Sequence, residues 1–514
     1  MIINENIAYL YIINNKVLLI IALIFFNLLF QKVRFINLTN IPELFYHPNQ
    51  TLQIISPDER YKDSCSLTLY FTSYFRKANI SNDFEIKEIN LKDKNYFVSY
   101  FMNNNIYYPY IPLLDAHGLI RSNNKNGYNN LIIGSIQQNS LNQNQKNSYD
   151  LSKYQKVYQY LSGNFFFQKN ILYRQYLLLK KSFIKDFDYM PETFNYPDDK
   201  KIIEIKFSNY ILNLSDLWLV KPTNKCAGEG IKLFKSLKEI KYKEFIITKY
   251  IINIDLINGK KYDLRLYILT SGLRPLRIYF YNEGLVRIAS EKYSLDINSI
   301  GNKFMHLTNT DLNKLNKKFV HPKNSSFNNE NSNIWSLFMY KKYLKNQHNI
   351  EWEDIREKIK DIIIKTIITS QQSLIKDNEK KKLDDKSFYN LFGFDILIRD
   401  DFKPILLEVN NSPEMRIHND LDRPIKTNLF VDTLNIIGIS PYSRTENKSL
   451  NTIFKYKSTQ EENIENAICE LKRQKGDYEL IFPLKTNINL YKKYFINNSE
   501  ENINFWNKIL DKIT

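Results

Sequence analysis

An α+β fold is what this sequence predicts, on three observations. Residues 264–269 and 276–281 alternate with a period near two, as antiparallel strands do. Residues 392–398 and 404–409 are apolar segments on either side of the turn Arg399-Asp400-Asp401, which reads as a hairpin. Trp352, Ile355, Ile359, Ile362, Ile363 and Ile367 follow the three-and-four spacing of an amphipathic helix. Antiparallel strand pairs interleaved with helices are the pattern of an α+β protein.

A length of 514 residues asks for two or three domains, or one elaborate enzyme with insertions. Asn, Ile, Lys, Tyr and Phe recur throughout, while Gly (13) and Pro (15) are scarce, so isolated Asn or Lys runs carry little functional weight. The formal charge of +17 attracts polyanions: nucleic acid, an anionic membrane surface, or an acidic protein tail. There are no zinc-finger cysteine pairs and no RNA-binding aromatic motif, which argues against nucleic acid. Cys65, Cys226 and Cys469 are odd in number and far apart, and free thiols in a reducing compartment are the simplest expectation.

Residues 1–45 form a hydrophobic N-terminal extension. Within it 17–30 is apolar except at Asn27, shorter than the roughly 20 residues a spanning helix needs. A membrane anchor, a buried or dispensable extension and a cleaved signal all remain open, the last weakened by the lack of a small-x-small cleavage site. Residues 46–150 show little clear pattern, and 122–149, rich in Asn, Gln, Ser and Gly, reads as a linker. Residues 154–187 mix aromatics with Lys and Arg around helices, 218–220 and 245–250 are short strand candidates, and 324–333 reads as a surface loop.

Three segments carry chemistry. In "LFGFDILIRDDFKPILLEVNNSP", Glu408 and Asn410 share one strand face while Leu407 and Val409 take the other, and Asp395 sits on the partner strand between Phe394 and Ile396. Acidic groups in apolar strands are costly unless paired or metal-bound. Oxygen ligands of this kind suit Mg²⁺, and a structural salt bridge is the other reading. In "LWLVKPTNKCAGEGIKLF" a strand delivers Lys221 and a loop holds Gly228 and Gly230, so backbone N–H groups can approach phosphates beside a point charge. The Walker spacing is absent, and a plain hairpin is the alternative. In "KKYDLRLY", Lys261, Asp263 and Arg265 share a face opposite Tyr262 and Leu264, and Arg287 follows within "GLVRIAS". That face is either solvated or, given the apolar density around it, the lining of a cleft.

Taken in order, the words "WLVKP", "GEGI", "KYI", "KYDLRLY", "PLRIY", "GLVRIASEKYS", "NKFMHLTN", "LFGFDIL" and "LLEVNNSP" resemble the tubulin tyrosine ligase-like family. "YQKVYQYLSG" and "LYRQYLLLKKSF" resemble its N-terminal lobe, and "LDRPIK" and "QKGDYELIFP" its glutamylase branch; the likeness covers about 151–513. It implies an ATP-grasp-type ligase with N-terminal (about 151–215), central (about 216–310) and C-terminal (about 311–513) lobes around a nucleotide cleft. It implies ATP held by Lys221, Ala227, Gly228, Thr248, Lys249, Tyr250, Ile251, Lys261, Asp263, Thr308 and Asn309. Mg²⁺ would sit on Asp395, Glu408 and Asn410, and Arg265 would steady an acyl-phosphate intermediate. Arg287 and Lys426 would grip the carboxylates of free L-glutamate, with Thr310 and Asp311 beside them.

The implied partners are the acidic tails of tubulin and microtubules. The implied location is the cytoplasm, on the cytoskeleton or in a cilium or flagellum. The sequence departs from the family's pattern at Glu229, Thr248, Thr310-Asp311 and Glu414-Met415. A glycine or tyrosine ligase on the same scaffold, and a catalytically weak microtubule-binding relative, are the competing expectations.

Overall fold

The structure, a computed structural model, describes residues 51–513 apart from 58–67, 74, 77–83, 91–95, 103–108, 124–128, 134–154, 161–162, 164–166, 212, 224, 226–227, 235, 297–298, 300, 323–329, 381–383, 444–458 and 496–498. The N-terminal extension 1–45 therefore lies outside the described residues, as does most of the loop expected at 324–333. Among the described residues no helix is long and apolar enough to cross a membrane.

Two sheets position the site. The smaller has four antiparallel strands in the order Lys232–Leu233, Trp218–Pro222, Phe245–Lys249, Thr193–Tyr196. Along Trp218–Pro222, Trp218, Val220 and Pro222 are buried while Leu219 and Lys221 are only partly so. The buried set, with Phe245 and Ile247, packs on Ile203 and Phe207 of the helix Lys200–Phe207 and on Phe234. Because side chains alternate along a strand, anchoring Trp218 and Val220 to the helix turns Lys221 to the open face. Trp218→Ala would remove that anchor, at a cost of about 3–5 kcal/mol.

The larger sheet has eleven strands. Its centre is the antiparallel pair Lys260–Leu273 and Leu276–Ile288, then Phe388–Ile398, which pairs with Pro404–Asn410. Both expected hairpins are present, and each is longer than its alternation suggested. Leu264, Leu266 and Ile268 enter one core with Ile355, Ile359, Ile363 and Ile367 of the helix Trp352–Lys380. Tyr267 and Leu269 enter a second core with Leu429, Phe430 and Leu434 of the helix Asp422–Ile437. Burial on both faces is why apolar residues fill both alternating positions at 266–269 and 278–281.

Two expectations need correcting. The linker reading of 122–149 fails at Leu131–Ile133, a fully buried strand preceded by buried Asn129 and Asn130. It runs parallel between Ser99–Met102 and Lys156–Tyr158, which in turn joins Phe388–Ile398. The side chain of Asn130 earns its buried place by accepting from the backbone N–H of Ser99 at 2.9 Å and donating to the carbonyl of Ser440 at 2.8 Å. Polar composition here marks hydrogen bonding at a strand end rather than disorder. The free-thiol reading also fails for Cys469, which is disulfide-bonded.

Candidate active site

Register along the large sheet builds a buried lattice of charge. Asp263 lies directly across from Arg287, Arg265 across from Asp395, and Asp395 across from Glu408. Arg287 donates to Asp263 through Nε at 2.7 Å and Nη2 at 2.6 Å, and Nη2 also reaches Asp395 Oδ2 at 2.8 Å. Arg265 holds the same Asp395 from the other side, Nε to Oδ1 at 2.5 Å and Nη2 to Oδ2 at 3.1 Å. Thr308 Oγ1 adds a 2.6 Å bond to Asp263 Oδ2. Burial alone would raise the Asp395 pKa, but the two guanidinium groups outweigh it and hold the carboxyl well below the usual range.

Above this floor, between the two sheets, opens a cleft. Lys221, Gly228, Thr248, Lys249, Tyr250, Ile251, Lys261, Asp263, Thr308, Asn309, Asp395 and Glu408 all line it. Ala227 lies outside the described residues. Arg265, Thr310, Asp311, Asn410 and Lys426 line an adjoining cavity, and Arg287, Asn309 and Glu408 border both spaces. Gly228 has a φ of +80°, and a Cβ there would come within 2.8 Å of Asn309 Oδ1, so the loop lies against Asn309 only because the residue is glycine.

The lysines contrast with the arginines. Among the described residues no carboxylate lies within ion-pair distance of Lys221 or Lys261. Burial, reinforced by Lys169, brings the Lys221 pKa down to about 8 against the pull of Glu408 and Asp395. Burial and the neighbouring Lys221 bring Lys261 down to about 7, and its Nζ contacts the Tyr250 hydroxyl at 3.1 Å. Two lysines with no carboxylate at ion-pair distance among the described residues are chemically suited to an anionic ligand.

The proposed metal ligands share one sheet face, with Asn410 Nδ2 3.4 Å from both Asp395 Oδ2 and Glu408 Oε1. Asp395 makes the structural ion pairs that were its alternative reading, whereas Glu408 is held only loosely, by Lys169 at 3.6 Å. Among the described residues no three His, Cys, Asp or Glu side chains form a metal-holding group. Two carboxylates and an amide nonetheless fit Mg²⁺ of the kind that leaves other positions to water and phosphate.

The expected glutamate grip is modified, since neither cation is vacant. Arg287 is shared by two carboxylates, and Lys426 sits 3.1 Å from Asp422 Oδ2 and donates to the Arg416 carbonyl at 2.7 Å. Two of the departures prove to be locally compensated: Glu229 pairs with Lys225 at 2.5 Å, and Asp311 lies 3.7 Å from Lys314.

Sequence reasoning missed Lys169 and His306, which both line the cleft. Lys169 opens the helix Lys169–Ser182, and nothing local to it shows that this helix start folds over Glu408. His306 meets the Tyr250 hydroxyl at 2.9 Å, and burial, aided by Lys261, pushes its imidazole down to about 4. Its place inside the word "NKFMHLTN" was the available signal.

With its mixed sheets and charged cleft, the chain belongs to the tubulin-tyrosine ligase family, whose profile matches residues 143–448. It is similar to tubulin monoglutamylase TTLL4 of Homo sapiens, 35% identical over 49% of this chain and 21% of that protein. It is also similar to tubulin polyglutamylase TTLL5 of Mus musculus, 32% identical over 58% of this chain and 22% of that protein. Tubulin polyglutamylase TTLL6 of Homo sapiens is 31% identical over 68% of this chain and 40% of that protein. The chain thus spans between about a fifth and two fifths of the length of these relatives.

Proposed function

We propose that this protein is an ATP- and Mg²⁺-dependent ligase that adds glutamate to side-chain carboxylates of tubulin tails. The fold would be ATP-grasp-like, its lobes closing around the cleft as a nucleotide site. The observation that carries this reading is that Lys221 and Lys261, with no carboxylate at ion-pair distance among the described residues, line one cleft with Asp395 and Glu408, while Asn410 borders the adjoining cavity. The names of the relatives point to glutamate and to tubulin, and a +17 surface suits an acidic tail on cytoplasmic or ciliary microtubules.

A carboxylate resists attack by an amine until one of its oxygens becomes a leaving group. In the proposed reaction the γ-phosphoryl group of ATP moves to the acceptor carboxylate, and the amine of glutamate then displaces phosphate to form the amide. Lys221, Lys261 and Lys169 would bind the phosphates, and Asp263 with Thr308 would orient the nucleotide. Arg265 borders the second cavity, where it would face the charge developing on the acceptor. Asp395, Glu408 and Asn410 would hold Mg²⁺, which when bound offsets phosphate charge. The contacts of Glu229 with Lys225 and of Asp311 with Lys314 support an active ligase over a catalytically weak relative, because each places a cation beside the departing acidic residue.

Incubating the protein with ATP, Mg²⁺, microtubules and labelled amino acids tests this. Incorporation of glutamate ahead of glycine and tyrosine is expected. Preference for glycine or tyrosine would keep the scaffold reading and reject the substrate.

A further inference from the structure

The second cavity, about 300 Å³, is where anionic substrates would meet in the proposed reaction, and the inference here rests on that reading. Its cations differ in how firmly they are held. The side chains of Arg287 and Lys426 are 9% and 3% exposed, locked onto carboxylates that are themselves buried. Drawing either onto a substrate would strand a buried Asp, which is strongly unfavourable.

Arg416 is different. Its side chain is 53% exposed and its partner Glu414 30% exposed, yet the contact is a close fork: Nε lies 3.0 Å from both carboxylate oxygens and Nη2 2.6 Å from Oε2. His418 Nε2 stands 3.9 Å from the same Oε2. Glu414 therefore shows how a carboxylate sits on this cation, in a cavity lined by all three residues. The backbone N–H of Arg416 also donates to Glu414 Oε1 at 2.8 Å, so an incoming carboxylate has to take over that bond as well as the guanidinium, while water takes up the charge of the displaced, partly exposed Glu414.

We propose that Arg416, with His418 beside it, receives a substrate carboxylate, and that Glu414 occupies that place until the substrate displaces it. The carboxylate belongs either to the free amino acid or to the acidic acceptor chain. Glu414 is then a built-in competitor that sets the KM of this enzyme, at a position where the resembled family usually carries a small polar residue.

The test is steady-state incorporation of labelled glutamate into a Glu-rich peptide by wild type, Glu414→Gln, Glu414→Ser and Arg416→Gln. Glutamate is varied at fixed peptide, then peptide at fixed glutamate. Both Glu414 variants are expected to lower one of the two KM values by about two- to fivefold, the worth of an exposed ion pair. Arg416→Gln is expected to raise the same KM by about tenfold or more, with the KM for ATP unchanged. Whichever constant moves names the source of the carboxylate. Opposite shifts of one constant are required, and any other pattern overturns the proposal. Should wild type incorporate nothing, the ligase reading fails separately. Calorimetric titration of glutamate and of the peptide, which needs no turnover, then decides: tighter binding by Glu414→Gln supports the exchange, and unchanged binding rejects it.

Discussion

Lys261 and Arg265 lie on one face of one strand, four residues apart, yet their surroundings are opposite. Arg265 and Arg287 on the floor are wrapped by Asp263 and Asp395, whereas Lys261 and Lys221 in the cleft have no carboxylate within ion-pair reach among the described residues. The paired cations hold the sheet's register and fix where the carboxylates point. The unpaired ones carry a standing desolvation cost that an anionic ligand would relieve. Stability and binding should therefore separate along this strand.

The largest effect is expected at Asp395. Asp395→Asn leaves two buried guanidinium groups short of charge, and unfolding titrations should show a loss of about 3–5 kcal/mol. Lys221→Met should show the reverse profile in the same titrations. Its stability should be unchanged or raised while nucleotide binding is lost, because a depressed lysine pKa signals a cation the fold does not favour. A Lys221→Met protein as unstable as Asp395→Asn would erase the contrast.

Next comes the comparison of Arg287→Ala with Lys426→Ala, which sharpens it. From sequence alone, both should weaken glutamate use without touching nucleotide binding. The structure changes that for Arg287, whose removal leaves Asp263 and Asp395 uncovered and should also raise the KM for ATP. Lys426→Ala leaves only Asp422 and should spare ATP binding. Equal ATP constants in the two variants would show that the lattice is not coupled to the nucleotide. The smallest effect is expected for Glu229→Gln. An exposed pair of this kind is worth about 0–1 kcal/mol, so its melting midpoint and ATP affinity should match wild type.

Much of this was legible in the sequence because it rests on alternation. The shared face of Lys261, Asp263 and Arg265, the shared face of Glu408 and Asn410, and the helix from Trp352 onward follow from periods of 2 and 3.6 alone. Register was not legible: nothing local states that Arg265 faces Asp395 or that Arg287 reaches two carboxylates, so paired cations looked available for substrate. Nor could composition distinguish the buried Asn129 and Asn130 from the exposed Asn123, because a strand end uses amides for the same hydrogen bonds that a loop gives to water. Lys169 was hidden for a third reason, since its partner Glu408 is more than two hundred residues away in sequence.

Proton uptake on nucleotide binding tests the central claim most directly. Burial brings Lys221 down to about 8 and Lys261 down to about 7, so at pH 8 part of their charge is expected to be absent before nucleotide binds. Phosphate favours the ammonium form and raises both values, so binding must draw protons from solution at pH 8 and almost none at pH 6, where both lysines are already charged. Calorimetry of MgATP binding in buffers of different ionisation enthalpy measures this. The account predicts uptake of a substantial fraction of a proton at pH 8, absent at pH 6 and reduced in Lys221→Met if any binding survives there. Tight binding with no uptake at pH 8 would show that the cleft lysines are not the phosphate site.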